Sequence, residues 1–483
     1  MRKLSNVYAD NVAQLDRLLR VEENFDVIKK PLRIGRDEVT LYYIDGFVKD
    51  TVMQKLMLAL VSLDGLGSES GGECARSFTR AHVAYVETDV TDSLDTMLAM
   101  VLSGASLMIG SRFGEWAVII DSRSYPARDP EEPENDRVMR GSRDGFVETL
   151  IFNTALIRRR IRDTALTMEY LSVGSASKTD VVLCYMTGRA DSGYVDDLRT
   201  RLQKIDTDSL TLGHESLAEC LIRTRWYNPF PKIRSTERPD AAAAQLLEGS
   251  VLILVDNSPE AMVLPTSIFD FVQETNDYYF PPLTATFIRV VRHTVCLLTL
   301  FLVPIWYMLL QYPAALPDWL TFIIPTERGK IPILAQLLLV EFVVDGLKMA
   351  SMNTPSMLSN SLSVVGGLIL GDFAVDIGWL IPEVILYTAF VAIANFSQRS
   401  YELGYALKFM RIGLLLLTAV AGWAGFAIGT IGIILLLMSN RTVNDGHSYL
   451  YPLIPFDARA CLAVFFRVKK KDVNTGGHNL AKK

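Results

Sequence analysis

The sequence predicts an α/β region of two similar subdomains with mixed sheets, followed by an α-helical multi-pass membrane bundle. Three observations carry that prediction. About the first 285 of the 483 residues are polar and mixed in charge, and roughly the next 150 are mostly apolar. Two blocks of the polar half recur in the same order. The apolar half keeps the acids Glu341, Asp345, Asp372, Asp376 and Glu383. A charge at the centre of a spanning helix costs roughly 2.5–3.5 kcal/mol, so these groups must face protein, an aqueous cavity or the membrane surface.

The recurring blocks fix the organisation of the polar half. Leu41-Tyr-Tyr-Ile-Asp-Gly46 returns as Leu183-Cys-Tyr-Met-Thr-Gly188, 142 positions later, and Val101-Leu-Ser-Gly104 returns as Leu246-Leu-Glu-Gly249, 145 later. Chance similarity of strand–turn patterns is the plain alternative, but equal order and near-equal spacing favour a duplicated unit. Each block reads as a strand ending in Gly, a helix, then a hairpin. The hairpin strands fall at 105–109 and 116–120, then at 251–255 and 261–265, where Asp256-Asn257-Ser258-Pro259 supplies turn chemistry. Val251-Leu-Ile-Leu-Val255 is a continuous apolar run, as in a strand covered on both faces.

A connecting helix is expected over about 146–171, with Phe146, Leu150, Ile157 and Ile161 on one face. Arg158, Arg159, Arg160 and Arg162 decorate the rest. They read either as a solvated face or as a contact with acidic headgroups or a partner subunit. The acidic, proline-bearing stretch 129–136 is an exposed loop, and the glycines between Gly65 and Gly72 read as a linker, because no Lys-Ser/Thr completes a phosphate loop. The expected domains are 1–140, 141–285 with the connecting helix, a helical membrane domain at 286–440, and a cytoplasmic tail at 441–483.

Composition narrows the function. The net charge is −6, with no long basic tract beyond Lys469, Lys470 and Lys471, which argues against nucleic-acid binding. The five cysteines are scattered, with no zinc-ligand spacing, and the five histidines lie far apart, so neither a metal nor a cofactor is expected. No catalytic motif appears. Met1-Arg2-Lys3 is followed by polar residues and not by the apolar core of a signal peptide. Arg289, Arg292 and His293 precede the first apolar run, which places the polar half in the cytoplasm and, with the tail lysines, predicts an even number of crossings.

Five apolar blocks follow. The first, 294–310, is uncharged. The second, 331–350, carries Glu341, Asp345 and Lys348 on one helical face. That face either pairs with itself and its neighbours, lines a water path, or belongs to a helix lying along the membrane surface. The third, 361–370, is rich in Ser and Gly, and the fourth is interrupted by Pro382-Glu383. The fifth, 412–440, has no charge; at 29 residues it is long for one span and short for two, and its glycines could break it. The crossing number stays open between four and six. In the third block Ser361, Val365, Leu368 and Asp372 form a stripe, with Val364 beside it. Glycine-rich packing would explain the block. Repeated about a symmetry axis, the same stripe gives a hydrophobic constriction with an acid ring that favours cations.

Several segments resemble one family. They are Arg140-Gly-Ser-Arg143-Asp-Gly145-Phe146-Val-Glu148 with Asn153-Thr-Ala-Leu-Ile-Arg158-Arg159-Arg160-Ile161; Asn228-Pro-Phe230-Pro231; Thr236-Glu237-Arg238-Pro239-Asp240; Tyr43-Ile44-Asp45-Gly46; Lys178-Thr179-Asp180; and Ser363-Val-Val-Gly366-Gly-Leu-Ile-Leu-Gly371. Over about 42–456 the chain resembles the A subunit of GerA-type spore germination receptors. The resemblance implies a protein of the spore inner membrane that works with B and C subunits, the B subunit binding the nutrient. It also implies that the A subunit forms a homo-oligomer surrounded by membrane lipid and supplies a path for monovalent cations. One departure is Asp256-Asn257, where the family more often has Asp-Gly.

Arg140, Arg143, Glu148, Arg158, Arg159, Glu237, Arg238 and Asp240 are expected at a subunit or subdomain interface, with Pro239 in the first turn of a helix. Ser361, Val364, Val365, Leu368 and Asp372 are the expected pore lining, and Glu341, Asp345, Lys348 and Asp376 the expected intramembrane polar network. The alternative is a non-conducting scaffold that assembles receptor subunits and relays the signal. A solute carrier would need inverted repeats in the apolar half, and none is visible.

Overall fold

The computed structural model describes residues 3–48, 50–83, 87–122, 141–222, 226–274, 277, 279–325, 329–353, 373–440, 442–443 and 448–467. The first unit runs α1 (Tyr8–Leu19), β1 (Val27–Ile34), β2 (Asp37–Ile44), α2 (Asp50–Val61), α3 (Gly71–His82), β3 (Thr88–Thr91), α4 (Leu94–Leu102), β4 (Ser106–Gly110) and β5 (Ala117–Ile120). The second runs α5 (Leu150–Arg160), β6 (Leu166–Val173), β7 (Thr179–Met186), α6 (Ser192–Gln203), α7 (His214–Leu221), β8 (Arg234–Thr236), α8 (Pro239–Glu248), β9 (Val251–Val255) and β10 (Ala261–Leu264). The sheet orders are β1-β2-β4-β5-β3 and β6-β7-β9-β10-β8, the same topology twice. The two sequence blocks are therefore two copies of one architecture.

Among the described residues every strand pairing is antiparallel, in place of the expected mixed sheets. The reason lies in the connection. After β2 the chain makes two helices, lays β3 on the far edge, and returns through α4 to the end of the sheet where β2 stopped. Tyr42 near the end of β2 accordingly faces Leu107 near the start of β4. Both faces of each sheet are covered, which is why the central strands are apolar without alternation. On β9, Val251, Ile253 and Val255 join the core under α6 and α7, while Leu252 and Leu254 join the core under α5 and α8.

The connecting helix is shorter than its apolar spacing predicts: it stops at Arg160, and Leu166–Val173 is an edge strand paired with β7. Strand pairing overrides the local pattern there, because Leu166 and Met168 are needed by the core beneath α5 and α8. Helix α5 lies between the two units. Ala155 packs into the first core, and Leu150, Leu156 and Ile157 into the second.

Next to it, Arg158 is 1% exposed and its Nε stands 3.0 Å from Oδ2 of Asp26, itself 2% exposed, at the foot of the first sheet. The guanidinium also donates to the Leu166 carbonyl at 3.2 Å. Asn24 closes the joint by accepting from the Met168 amide at 2.8 Å. Arg158 thus departs from the solvated-face reading, whereas Arg159 is exposed.

Helix α9 (Ile268–Val272) leads to the apolar half, built from α10 (Pro282–Gln311), α11 (Ile333–Asn353), α12 (Pro382–Phe396) and α13 (Tyr401–Ser439); α14 (Ala458–Phe465) follows. Helices α10 and α13 are long and apolar enough to cross a membrane. Helix α13 is not straight. Gly422 has φ 54° and ψ −130°, a left-handed break open to glycine. Residues eight apart on a straight helix are separated by about 12 Å, yet a Cβ on Gly425 would stand 1.9 Å from the Leu417 carbonyl oxygen. A Cβ on Gly429 would stand 2.6 Å from Leu414 Cδ1. The 401–421 and 423–439 arms therefore form a helical hairpin with glycine on its inner face. Its tip meets Tyr312, just past the end of α10.

The two halves are joined by charge and by packing. Asp277 is paired with Arg289 and Arg292, each at 3.0 Å, and Glu274 with Arg292 at 2.5 Å. After the hairpin, Val443 enters the second-unit core and Tyr449 donates to the Pro231 carbonyl at 2.7 Å. Arg289 and Arg292, expected as positive flanks at a membrane surface, are held by acids of the polar half.

Removing one member of a fully buried ion pair leaves the other desolvated and costs about 3–5 kcal/mol, whereas replacing both with apolar side chains costs far less. In equilibrium unfolding, Arg158→Met is expected to lose stability on that scale, and Arg158→Met with Asp26→Leu to regain most of it. A single variant as stable as the parent would mean that the pair does not hold the two units together.

Candidate functional site: a buried ionic cluster

Helix α11 presents Glu341 and Asp345, one turn apart, to the first arm of α13, which presents Lys408 and Arg411 at a spacing of three. Arg411 Nη2 stands 2.6 Å from Glu341 Oε1, and its Nε 3.1 Å from the same oxygen. Its remaining nitrogen, Nη1, donates to the Thr299 carbonyl of α10 at 2.8 Å, so one guanidinium ties three helices together. Lys408 Nζ lies 2.5 Å from Asp345 Oδ2, 3.2 Å from Glu341 Oε2 and 3.2 Å from the Glu341 carbonyl.

Burial grades across the cluster: the side chains of Arg411, Lys408, Glu341 and Asp345 are 3, 6, 14 and 36% exposed. Asp345 marks the open side. Lys348, one turn further along, sits over the rings of Tyr405 at 4.4 Å, Tyr401 at 4.8 Å and Phe396 at 5.6 Å. Glu341, Asp345, Lys348, Lys408 and Arg411 line a small cavity together with Thr388 and Asn395 of α12. The buried Asn395 Oδ1 has no hydrogen-bond partner among the described residues.

Chemically the cluster can do two things. It satisfies carboxylates and cations in surroundings that could not solvate them singly. It also sets the register of α11 against α13, because the planar guanidinium accepts one geometry and the ammonium bridges two acids.

The structure brings Glu341, Asp345 and Lys348 onto one face, as their spacing predicts, but the counter-charges of the two acids come from α13, and Lys348 lies over aromatic rings. Lys408 and Arg411 escaped the sequence reading. Their signal was present, since they stand at helical spacing directly before the charge-free run and complement the pair on α11. Asp376 is not in the cluster: it is exposed, in the short turn Ala374–Asp376 where Lys330 donates to the Ile377 carbonyl. A carboxylate beyond the cations' reach must stay in contact with water. Ser361, Val364, Val365, Leu368 and Asp372 lie outside the described residues, as does Arg140.

The expected interface residues divide. Arg238 is fully buried and pairs with Asp240 two residues on, at 2.6 Å; Tyr279 donates to the same carboxylate at 3.2 Å. Burial and then the Asp240 charge raise the Tyr279 hydroxyl above its ordinary pKa. The Glu237 carbonyl accepts from the Phe146 amide at 2.8 Å, and the Glu148 carbonyl from the Asn257 amide at 2.8 Å. This network binds the start of the second unit to its own β8–α8 and β9–β10 turns. Arg143 and the Glu148 residue are exposed. Between the units Arg158 meets Asp26, which carried no sequence signal, and Asn24 and Arg20 add hydrogen bonds to Met168, Thr167 and Thr187.

Comparison with known proteins places these features. The model of the Bacillus/Clostridium GerA spore germination protein family matches residues 15–476, and the chain belongs to that family. It is 37% identical to Stage V sporulation protein AF of Bacillus subtilis, over 92% of this chain and 90% of that one. Its identity to Spore germination protein KA of the same organism is 28%, over 96% of this chain and 85% of that one. Among solved structures it is similar to the N-terminal domain of the A subunit of the Bacillus megaterium spore germinant receptor GerK3, with 26% identity, coverage of 55% and 96%, and a TM-score of 0.42. This family membership supports a role in spore germination.

A double-mutant cycle measures the cluster. Glu341→Gln and Arg411→Gln are each expected to destabilise the detergent-solubilised chain by about 3–5 kcal/mol, and the double variant by clearly less than their sum. Additive losses in thermal or denaturant unfolding would show that the two groups do not act as a pair.

Proposed function

We propose that this chain is an A-type subunit of a nutrient-responsive germination complex in the spore inner membrane, and that its oligomer supplies a gated path for monovalent cations. Family membership supports the germination role. The observation that carries the rest is the Glu341–Arg411–Lys408–Asp345 cluster, buried in a bundle whose outward side chains, such as Leu297, Val420 and Ile428, are apolar and exposed. Such an inside-out polarity suits a bilayer, where charges are tolerated only against protein or water.

In this reading α10, α11, α12 and the two arms of α13 cross the membrane, with the sheets and the residues after Asn440 on the cytoplasmic side. With both flanks on one side the crossings must be even in number, so this reading gives a sixth to 354–372, which carries Ser361, Val364, Val365, Leu368 and Asp372, the proposed pore lining. Partner B and C subunits would bring the nutrient signal to the bundle, and the shared Lys408 gives α13 a defined register from which to move against α11. No catalytic step is required of the chain.

A second reading is favoured by one specific observation: both cluster acids already have cations within the same chain. A bundle so neutralised can also serve as a non-conducting scaffold that assembles receptor subunits.

Cation flux separates the two. In vesicles carrying the full receptor complex, Val365→Ala is expected to widen the proposed constriction and raise basal rubidium release several-fold without nutrient. Basal and nutrient-triggered flux both equal to the parent's would exclude Val365 from the path. The absence of any flux from an intact complex would leave the scaffold as the function.

A further inference from the structure

The C-terminal part of the described chain does not fold back wholly onto protein. Helix α14 turns Ala460 and Val464 inward, and the Phe465 ring packs 4.9 Å from His293 of α10. One half-turn away, Leu462 and Phe466 face outward, 55% and 50% exposed. The preceding 451–456 segment exposes Leu453, Ile454 and, at 73%, Phe456. This shelf is fixed in place. The Arg467 amide donates to Thr286 Oγ1 at 3.2 Å and its guanidinium to the Phe280 carbonyl, while Tyr451 donates to Asp457 at 3.3 Å.

We propose that α14 and residues 451–456 form an interfacial anchor that lies in the headgroup layer of an anionic phospholipid leaflet. The inference rests on the membrane placement proposed above. Three observations choose lipid as the occupant. Residues 294–311 of α10 span about 27 Å, close to the hydrocarbon thickness of a bilayer, so His293, against which Phe465 packs, falls at the hydrocarbon edge and the shelf extends from there through the headgroup layer. The outward apolar surface continues along α10 through Leu283 and Phe287 to Leu297 without a charged side chain on that face. Directly after Val468 the sequence supplies Lys469, Lys470 and Lys471, the basic complement that an anionic leaflet attracts. An apolar shelf followed in the sequence by lysines is the pattern of a helix lying in the interface plane.

Depth-resolved quenching tests it on the full chain in nanodiscs of phosphatidylglycerol and phosphatidylcholine. The native cysteines are replaced, and a bimane label is carried at Leu462→Cys or, as a control, at Leu297→Cys. A nitroxide near the lipid headgroup is expected to quench the Leu462 label roughly twofold, as for a side chain at the acyl boundary. The quenching should weaken in phosphatidylcholine alone and in a Lys469, Lys470 and Lys471→Gln variant. A Leu462 label reached only by a water-borne quencher, or shielded from both quenchers by a second copy or a partner subunit, overturns the anchor. So does quenching indifferent to lipid charge and to the lysines. A Leu297 label untouched by a nitroxide at mid-bilayer would instead refute the membrane placement itself.

Discussion

Ionised side chains inside an apolar bundle must find their opposites there, and that constraint organises the helical half of this protein. Separating Glu341 from Arg411 would leave two desolvated charges, a cost of the same order as the stability of a whole domain. The helices that carry them are thereby fixed relative to one another, and Thr299 draws α10 into the same joint. The hairpin at Gly422 is part of the same solution. Folding α13 back on itself puts Lys408 and Arg411 on an arm beside α11 and lets the uncharged arm fill the rest of the apolar surface. Glycine at 425 and 429 allows the arms to approach closely enough for that.

The same logic recurs in the polar half with a different purpose. Asp26 and Arg158 are almost wholly buried, and they join two copies of one fold whose cores meet only at the margin, where Ala155 packs into the first and Phe25 against the second. Asp277 with Arg289 and Arg292 repeats it where the second copy meets α10. Each module of the chain therefore meets the next through a buried acid–arginine pair. Arginine suits this use because its several donors also reach backbone carbonyls, as at Leu166 and Thr299. A movement imposed on the bundle would reach the sheets through these rigid joints and through Tyr449, which ties the return strand of the chain to Pro231.

Much of the architecture was legible in the sequence. The repeated strand–Gly and Leu-Leu-Glu-Gly-type turns announced two equivalent units, and the hairpin strands fell within a residue or two of their observed ends, because turn chemistry and apolar runs are local signals. Strand direction was not legible, since it depends on which end of the sheet the chain returns to. The overlong connecting helix failed for a related reason: residues 166–171 have acceptable helical spacing, and only pairing with β7 makes them a strand. At the cluster, Glu341, Asp345 and Lys348 were readable from their isolation among apolar residues. Lys408 and Arg411 were passed over, because at the margin of an apolar run cations look like ordinary flanking charges and only their match to the acids of α11 sets them apart. Asp26 was invisible, as a lone acid ahead of an edge strand carries no pattern.

The central claim is that Glu341 and Asp345 are held as ion pairs by Arg411 and Lys408 of a neighbouring helix. Infrared difference spectroscopy of the lipid-reconstituted chain tests this directly by comparing the parent with Glu341→Gln. The account predicts loss of an ionised-carboxylate band, with the Arg411 guanidinium bands perturbed in the same spectrum. Loss of a protonated-carboxyl band instead, with the guanidinium bands unmoved, would contradict it.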